Sequence, residues 1–302
     1  MHIFTGQFYT SENGTDWSTP VYGSKSMEMD TLIYKYDDAL VVFAAGNEGD
    51  FDGYSTFTGD HSIGTPASTK NVLTVGAAET EATPDTVASF SSRGPTPDSR
   101  IKPDVCGPGN PIYSASSSGM PGNATCAVLP SSGTSQATPA ISGVAALLRQ
   151  FLVDGMHATY SSIGFAASEY NSSHPSSALL KAMLIGSTVP LVSGYDSAGN
   201  SVTLADFYSA SYPVSDTAPY ALGTTGVDYH QGFGHVLLSN VISLDGGFET
   251  FLYESSLDGY GSYTLEFFVV TITTEIDITL VWTDPPGFEC KLHQHVFTTV
   301  HL

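Results

Sequence analysis

The sequence predicts an α/β unit over residues 1–244 followed by an all-β segment over 245–302, and three observations carry this. A helical stripe of Met27, Leu32, Ile33 and Tyr36 runs directly into the apolar stretch Ala39 to Ala45, a succession suited to a parallel sheet. A Gly-led turn, Gly133-Thr134-Ser135, opens the apolar helix pattern Ile141-Ser142-Gly143-Val144-Ala145-Ala146-Leu147-Leu148. Beyond about residue 245 the helical period gives way to runs rich in β-branched and aromatic residues, Tyr263 to Ile272 and Asp277 to Trp282.

In chain order, residues 1–24 are rich in Thr, Ser, Gly and Tyr and read as irregular. Gly23-Ser24-Lys25-Ser26 lacks the Gly-Lys-Ser/Thr of a phosphate loop and reads as a helix start. Residues 50–68 form a Gly, Asp and Ser loop, and Asn71 to Ala77 is a second buried strand. The segment 107–132 reads as loop, with a short strand at Ile112 to Ala115, before the helix Thr134 to Leu152. Pro139 falls in its first turns, where a missing N–H costs least. A further helix is expected over Ser176 to Ile185, with Leu179, Leu180, Met183 and Leu184 on its apolar face, and another over Leu238 to Leu244.

Composition narrows the class. At 302 residues the chain has ample material for a core. Thirty acidic against nine basic residues, a formal charge of −21, argue against nucleic acid or an anionic membrane as partner. No run of 18 apolar residues marks a spanning helix, and Met1-His2-Ile3-Phe4-Thr5 shows no secretory leader pattern. The sequons at Asn13, Asn123 and Asn171 are compatible with secretion. Cys106 and Cys126 flank the irregular segment before Ser135, so a disulfide contributing about 3 kcal/mol and a pair of buried free thiols are both open; Cys290 stands alone.

The chemistry concentrates at Gly133-Thr134-Ser135-Gln136-Ala137-Thr138-Pro139. A serine in the first turn of a buried helix has free backbone N–H groups and the positive end of the helix dipole beside its hydroxyl. The plain alternative is a helix cap. Four other blocks accompany it in order: Val42-Phe43-Ala44-Ala45-Gly46-Asn47-Glu48-Gly49; Gly64-Thr65-Pro66 with Asn71 to Ala77; Phe90-Ser91-Ser92-Arg93-Gly94-Pro95; and Lys102-Pro103-Asp104 with Gly107-Pro108-Gly109.

Together they resemble the subtilisin-like serine proteases, the subtilases. The resemblance implies the C-terminal half of a doubly wound parallel sheet, with Ser135 as nucleophile and Asn47 as oxyanion-hole donor. It further implies that Ala45, Gly46, Gly133 and Thr134 contact the peptide substrate. Ile278 to Pro286 is similar to the start of the β-sandwich appended to some alkaline serine proteases, so residues 245–302 are expected to be a partial sandwich. No cofactor is required by such chemistry. Calcium is compatible with the acidic loop Asp50 to Asp60, and a secreted location is implied.

Acyl transfer by serine also needs a base and a carboxylate that orients it. None of the nine histidines is followed by Gly, and no Asp is followed by Ser-Gly or Thr-Gly, so the family's two upstream motifs are missing. His61 stands on the wrong side of Asn47 for the family order, and His157, His174, His230 and His235 match no family base. The chain is therefore expected to be a fragment, inactive alone. Two other readings compete: a non-catalytic binding module on the same scaffold, and a β-rich adhesion protein, which accounts only for residues 245–302.

Overall fold

The computed structural model describes residues 22–50, 60–81, 83, 85–116, 127–156, 173–196, 199–206, 227–242, 250–255 and 277–287, and the backbone of 3–6 and 299–301. Along the chain come β1 (Ile3–Gly6), α1 (Ser24–Lys35), β2 (Leu40–Ala44), β3 (Leu73–Glu79) and β4 (Val105–Asn110). The hairpin of β5 (Ile112–Ala115) and β6 (Val128–Ser131) leads into α2 (Thr134–Val153). Next are α3 (Ser177–Gly186), β7 (Thr188–Val189), and the hairpin of β8 (Ser193–Tyr195) and β9 (Ser201–Thr203). β10 (His235–Val236), β11 (Asp277–Thr279) and β12 (Thr299–His301) complete the series.

Six strands make the central sheet in the order β1-β2-β3-β4-β10-β7, parallel except for β7. Alternation along β2 decides which helix goes where, because successive side chains leave opposite faces of a strand. Leu40 and Val42 join the main core with Leu73, Val75 and Val105, under Ala137, Ile141, Ala145, Leu148 and Leu152 of α2. Val41 and Phe43 face the other way, onto Ile33 and Met29 of α1. Helices thus cover both faces, the doubly wound α/β arrangement expected. Leu148 and Leu152 are fully buried, and each contributes roughly 1.5–3 kcal/mol of apolar burial.

Four segments depart from the sequence reading, among them β6, which pairs with β5 where loop was expected. β1 forms where irregular chain was expected, because backbone pairing with β2, Ile3 opposite Leu40 through Gly6 opposite Phe43, supplies what side-chain pattern does not. β4 is a strand although Gly107-Pro108-Gly109 interrupts any apolar alternation. Its glycines admit α2: a Cβ on Gly107 would lie 2.8 Å from Ile141 Cγ1, and one on Gly109 3.3 Å from Ala137 Cβ and 2.7 Å from Ala77 Cβ of β3. The expected helix at Leu238 is a single 3₁₀ turn, Leu238–Asn240, ending at Val241 with φ −124.

A buried charge cluster sits beneath β3 and β4. Asp104 Oδ2 is 2.6 Å from Lys102 Nζ, and Oδ1 is 2.9 Å from Lys181 Nζ of α3. The same carboxylate accepts the Thr74 N–H at 2.7 Å, and both lysines donate to the Val72 carbonyl. Burial pushes Asp104 up, but the two ammonium groups outweigh it and hold the carboxyl below its ordinary value.

The segment 277–287 packs on this unit. Asn71 Nδ2 donates to the Asp284 carbonyl at 2.8 Å while Asn71 Oδ1 accepts the Asp284 N–H at 2.8 Å. Lys70 Nζ reaches the Pro285 carbonyl, and the Gly287 N–H meets Tyr22 Oη, which itself donates to Asp30. Leu252 and Val281 also lie in or against the main core. The expected strand Tyr263 to Ile272, which with β11 and β12 would belong to a β-sandwich, lies outside the described residues.

Candidate active site

Two turns meet at the carboxyl end of β2. The first, Ala45 to Gly49, carries Asn47 at the surface, with Gly46 at φ +117, a conformation that a residue with a Cβ rarely adopts. The second, Gly133-Thr134-Ser135, begins α2. Thr134 joins them. Its N–H lies 2.9 Å and its Oγ1 3.0 Å from one terminal atom of the Asn47 carboxamide. A backbone N–H can only donate, so that atom is the carbonyl Oδ1, and Nδ2 remains a donor without a partner among the described residues. Thr134 Oγ1 is also 3.2 Å from both the N–H and the carbonyl of Gly46.

Gly133 holds the turn open. Its φ of +153 and ψ of 159 lie in a region almost restricted to glycine. A Cβ there would stand 2.6 Å from Gln136 Oε1 and 3.6 Å from either end of the Asn47 carboxamide. The Gly133 carbonyl accepts the N–H groups of Gln136 and Ala137, and Thr134 N–H goes to Asn47. The Ser135 N–H is the early helical donor left over, as helix starts require. Pro139, four residues on, has no N–H to offer the Ser135 carbonyl. Ser135 Oγ is buried and has no hydrogen-bond partner among the described residues.

The histidines of the sequence reading are placed elsewhere. His61 is exposed, its Nδ1 3.0 Å from the Pro95 carbonyl. His230 is buried against Arg93, and burial first, then the Arg93 charge, lowers it to about 3. His235 lies on β10, lowered by burial with Asp85 opposing. His157 falls outside the described residues. Cys106 is a free thiol inside the sheet, its Sγ 3.8 Å from the Gln231 carbonyl, so the disulfide alternative is not formed; burial pushes its pKa up, with Asp228 adding. Cys126, Cys290, the three sequons and residues 51–59 of the acidic loop also lie outside. Among the described residues no group of three or more His, Cys, Asp or Glu is arranged to hold a metal, and no helix is long and apolar enough to cross a membrane.

The family model described as Subtilase family matches residues 5–234, a span that contains both turns. The chain belongs to the subtilase family. This subtilase is 32% identical over 219 residues to the serine protease/ABC transporter B family protein tagA of Dictyostelium discoideum, covering 66% of this chain and 10% of that protein. It is 38% identical over 137 residues to the serine protease AprX of Bacillus subtilis, covering 40% of this chain and 29% of AprX. Against the solved patellamide maturation protease PatA it is 23% identical, with a TM-score of 0.44 over 76% of this chain and 58% of that one. The subtilase therefore spans between about a tenth and a third of the curated relatives it matches.

Sequence reasoning found the serine and asparagine turns but assigned no task to Ser92 or Arg93. Arg93 is 2% exposed, with its guanidinium bonded to Gly49, Tyr195 and His230. The available signal was a charged residue inside an otherwise small-residue block, Phe90 to Pro95.

Proposed function

We propose that the chain carries the nucleophile and oxyanion donors of a serine endopeptidase that hydrolyses peptide bonds through an acyl-enzyme, and that alone it gives no steady turnover. The observation that supports this most is the locked Asn47 carboxamide: Thr134 occupies Oδ1 with two donors, leaving Nδ2 beside the nucleophile turn. In the proposed role Ser135 Oγ bonds to the scissile carbonyl carbon, and the carbonyl electron pair moves onto oxygen. Asn47 Nδ2 and the Ser135 N–H then stabilise that oxyanion. Ala45, Gly46, Gly133 and Thr134 are proposed to border the scissile bond, where the two glycines leave the backbone free to approach.

The hydroxyl proton needs a base, and no side chain among the described residues is hydrogen-bonded to Ser135 Oγ. Loss of the base costs about 10⁶ in kcat in subtilisin. The isolated chain is therefore expected to show no steady casein cleavage that Ser135→Ala abolishes, and a steady Ser135-dependent rate overturns that expectation. The partnerless hydroxyl also favours a second reading, a non-catalytic binding module. Fluorophosphonate labelling of the protein isolated from its source separates them: a labelled Ser135 supports the protease, an unlabelled one the module. A secreted setting is part of the proposal, supported by the family and the sequons at Asn13, Asn123 and Asn171.

A further inference from the structure

The turn bearing Asn47 is gripped from behind by one short segment. Gly46 carbonyl accepts the Ser92 N–H at 3.0 Å, and the Gly49 N–H donates to the Phe90 carbonyl at 2.8 Å. Ser92 Oγ accepts the Glu48 N–H at 3.0 Å and donates to Glu48 Oε2 at 2.9 Å. Arg93 Nη2 donates to the Gly49 carbonyl at 2.9 Å. Residues 46, 48 and 49 are thus all bonded to residues 90–93, while among the described residues Asn47 itself is bonded to Thr134 alone.

Arg93 also reaches the opposite way. Its Nη1 donates to the Tyr195 carbonyl at the end of β8 and lies 2.7 Å from His230 Nε2, and its Nε is 3.1 Å from Asp60. His230 stays neutral near pH 7 and so does not repel the guanidinium, and its Nε2 also lies 2.8 Å from the same Tyr195 carbonyl. One planar fork therefore ties the Asn47 turn to three separate loops. Lysine, a point charge, cannot make those contacts at once.

We propose that Ser92 and Arg93 are positioning residues that set the aim of the Asn47 carboxamide, an inference that rests on the oxyanion role proposed for Asn47. Gly46 and Gly49 flank Asn47 and leave its backbone intrinsically loose; the brace fixes that backbone and leaves the side-chain amide free to meet substrate.

The test uses the ¹⁵N-labelled chain and the Asn47 side-chain NH₂ signals, assigned by their loss in Asn47→Asp. In Arg93→Lys these signals and the amides of residues 46–49 shift or broaden, and the Glu48 and Gly49 amides exchange about ten-fold faster, while the amides of β3 and of Leu148 to Leu152 keep their positions. Ser92→Ala gives the same local response and carries the test alone where Arg93→Lys does not fold. Unchanged Asn47 signals in both, or changes spread equally through β3, overturn the proposal. The readout needs no turnover: a local Asn47 response in this chain, with no fluorophosphonate on Ser135 of the protein isolated from its source, removes the protease reading and leaves the brace standing.

Discussion

Replacing Asp104 by Asn takes the carboxylate from between two buried ammonium groups. Lys102 Nζ and Lys181 Nζ approach it at 2.6 and 2.9 Å, and all three side chains are 2–4% exposed, so water cannot substitute for the lost charge. Breaking a buried pair in this way costs about 3–5 kcal/mol. At roughly 2–4 °C per kcal/mol for a unit of this size, Tm falls by about 6–20 °C. The loss also depends on pH. Burial lowers Lys102 to about 7, with Asp104 opposing and Lys181 and Arg100 adding. Its folded pKa therefore lies below the unfolded value of about 10.4. Between the two the unfolded chain binds more protons, so stability rises with pH from about 7 to about 10 and is level below that window. Asp104→Asn removes the charge that holds Lys102 up, so its pKa drops further and the variant gains more than the wild type on going alkaline. Calorimetric melts at pH 6 and pH 9 are expected to show the larger Tm difference at pH 6. A difference worth less than about 1 kcal/mol at pH 6, or one as large at pH 9, would refute the reasoning.

Two further perturbations bear on the turns and the strap. Gly133→Ala places a Cβ 2.6 Å from Gln136 Oε1 at φ +153, so the urea midpoint should fall by the equivalent of about 1–3 kcal/mol; an unmoved midpoint contradicts the strain argument. Asn71→Ala removes one bond from the N–H and one from the carbonyl of Asp284 and should cost about 1–3 kcal/mol, with faster amide exchange at Asp284; exchange as slow as in the wild type counts against it.

What the sequence made legible is what is decided locally. α1 and α2 emerged from apolar period, and the Gly46-Asn47 and Gly133-Ser135 turns from short blocks that resemble those of the subtilases. β4 was hidden because Gly107 and Gly109 answer to α2, which lies on the strand only after folding. β1 was hidden because its partner, not its side chains, makes it a strand. Arg93 is bonded to Tyr195 and His230, more than a hundred positions away in sequence, and Lys181 reaches Asp104 from α3; no window along the chain contains such pairs.

The carboxamide of Asn71 meets Asp284 with a donor and an acceptor side by side, as the backbone of an adjacent strand would. Tension applied at Gly287 and directed along the chain is therefore taken first by the bonds to Tyr22 and Lys70, then in shear by the two Asn71 bonds acting together. From there it passes into the residues just before β3, the neighbour of β2, which leads into the Asn47 turn. A load carried by the chain at Gly287 is moored to the central sheet by a side chain.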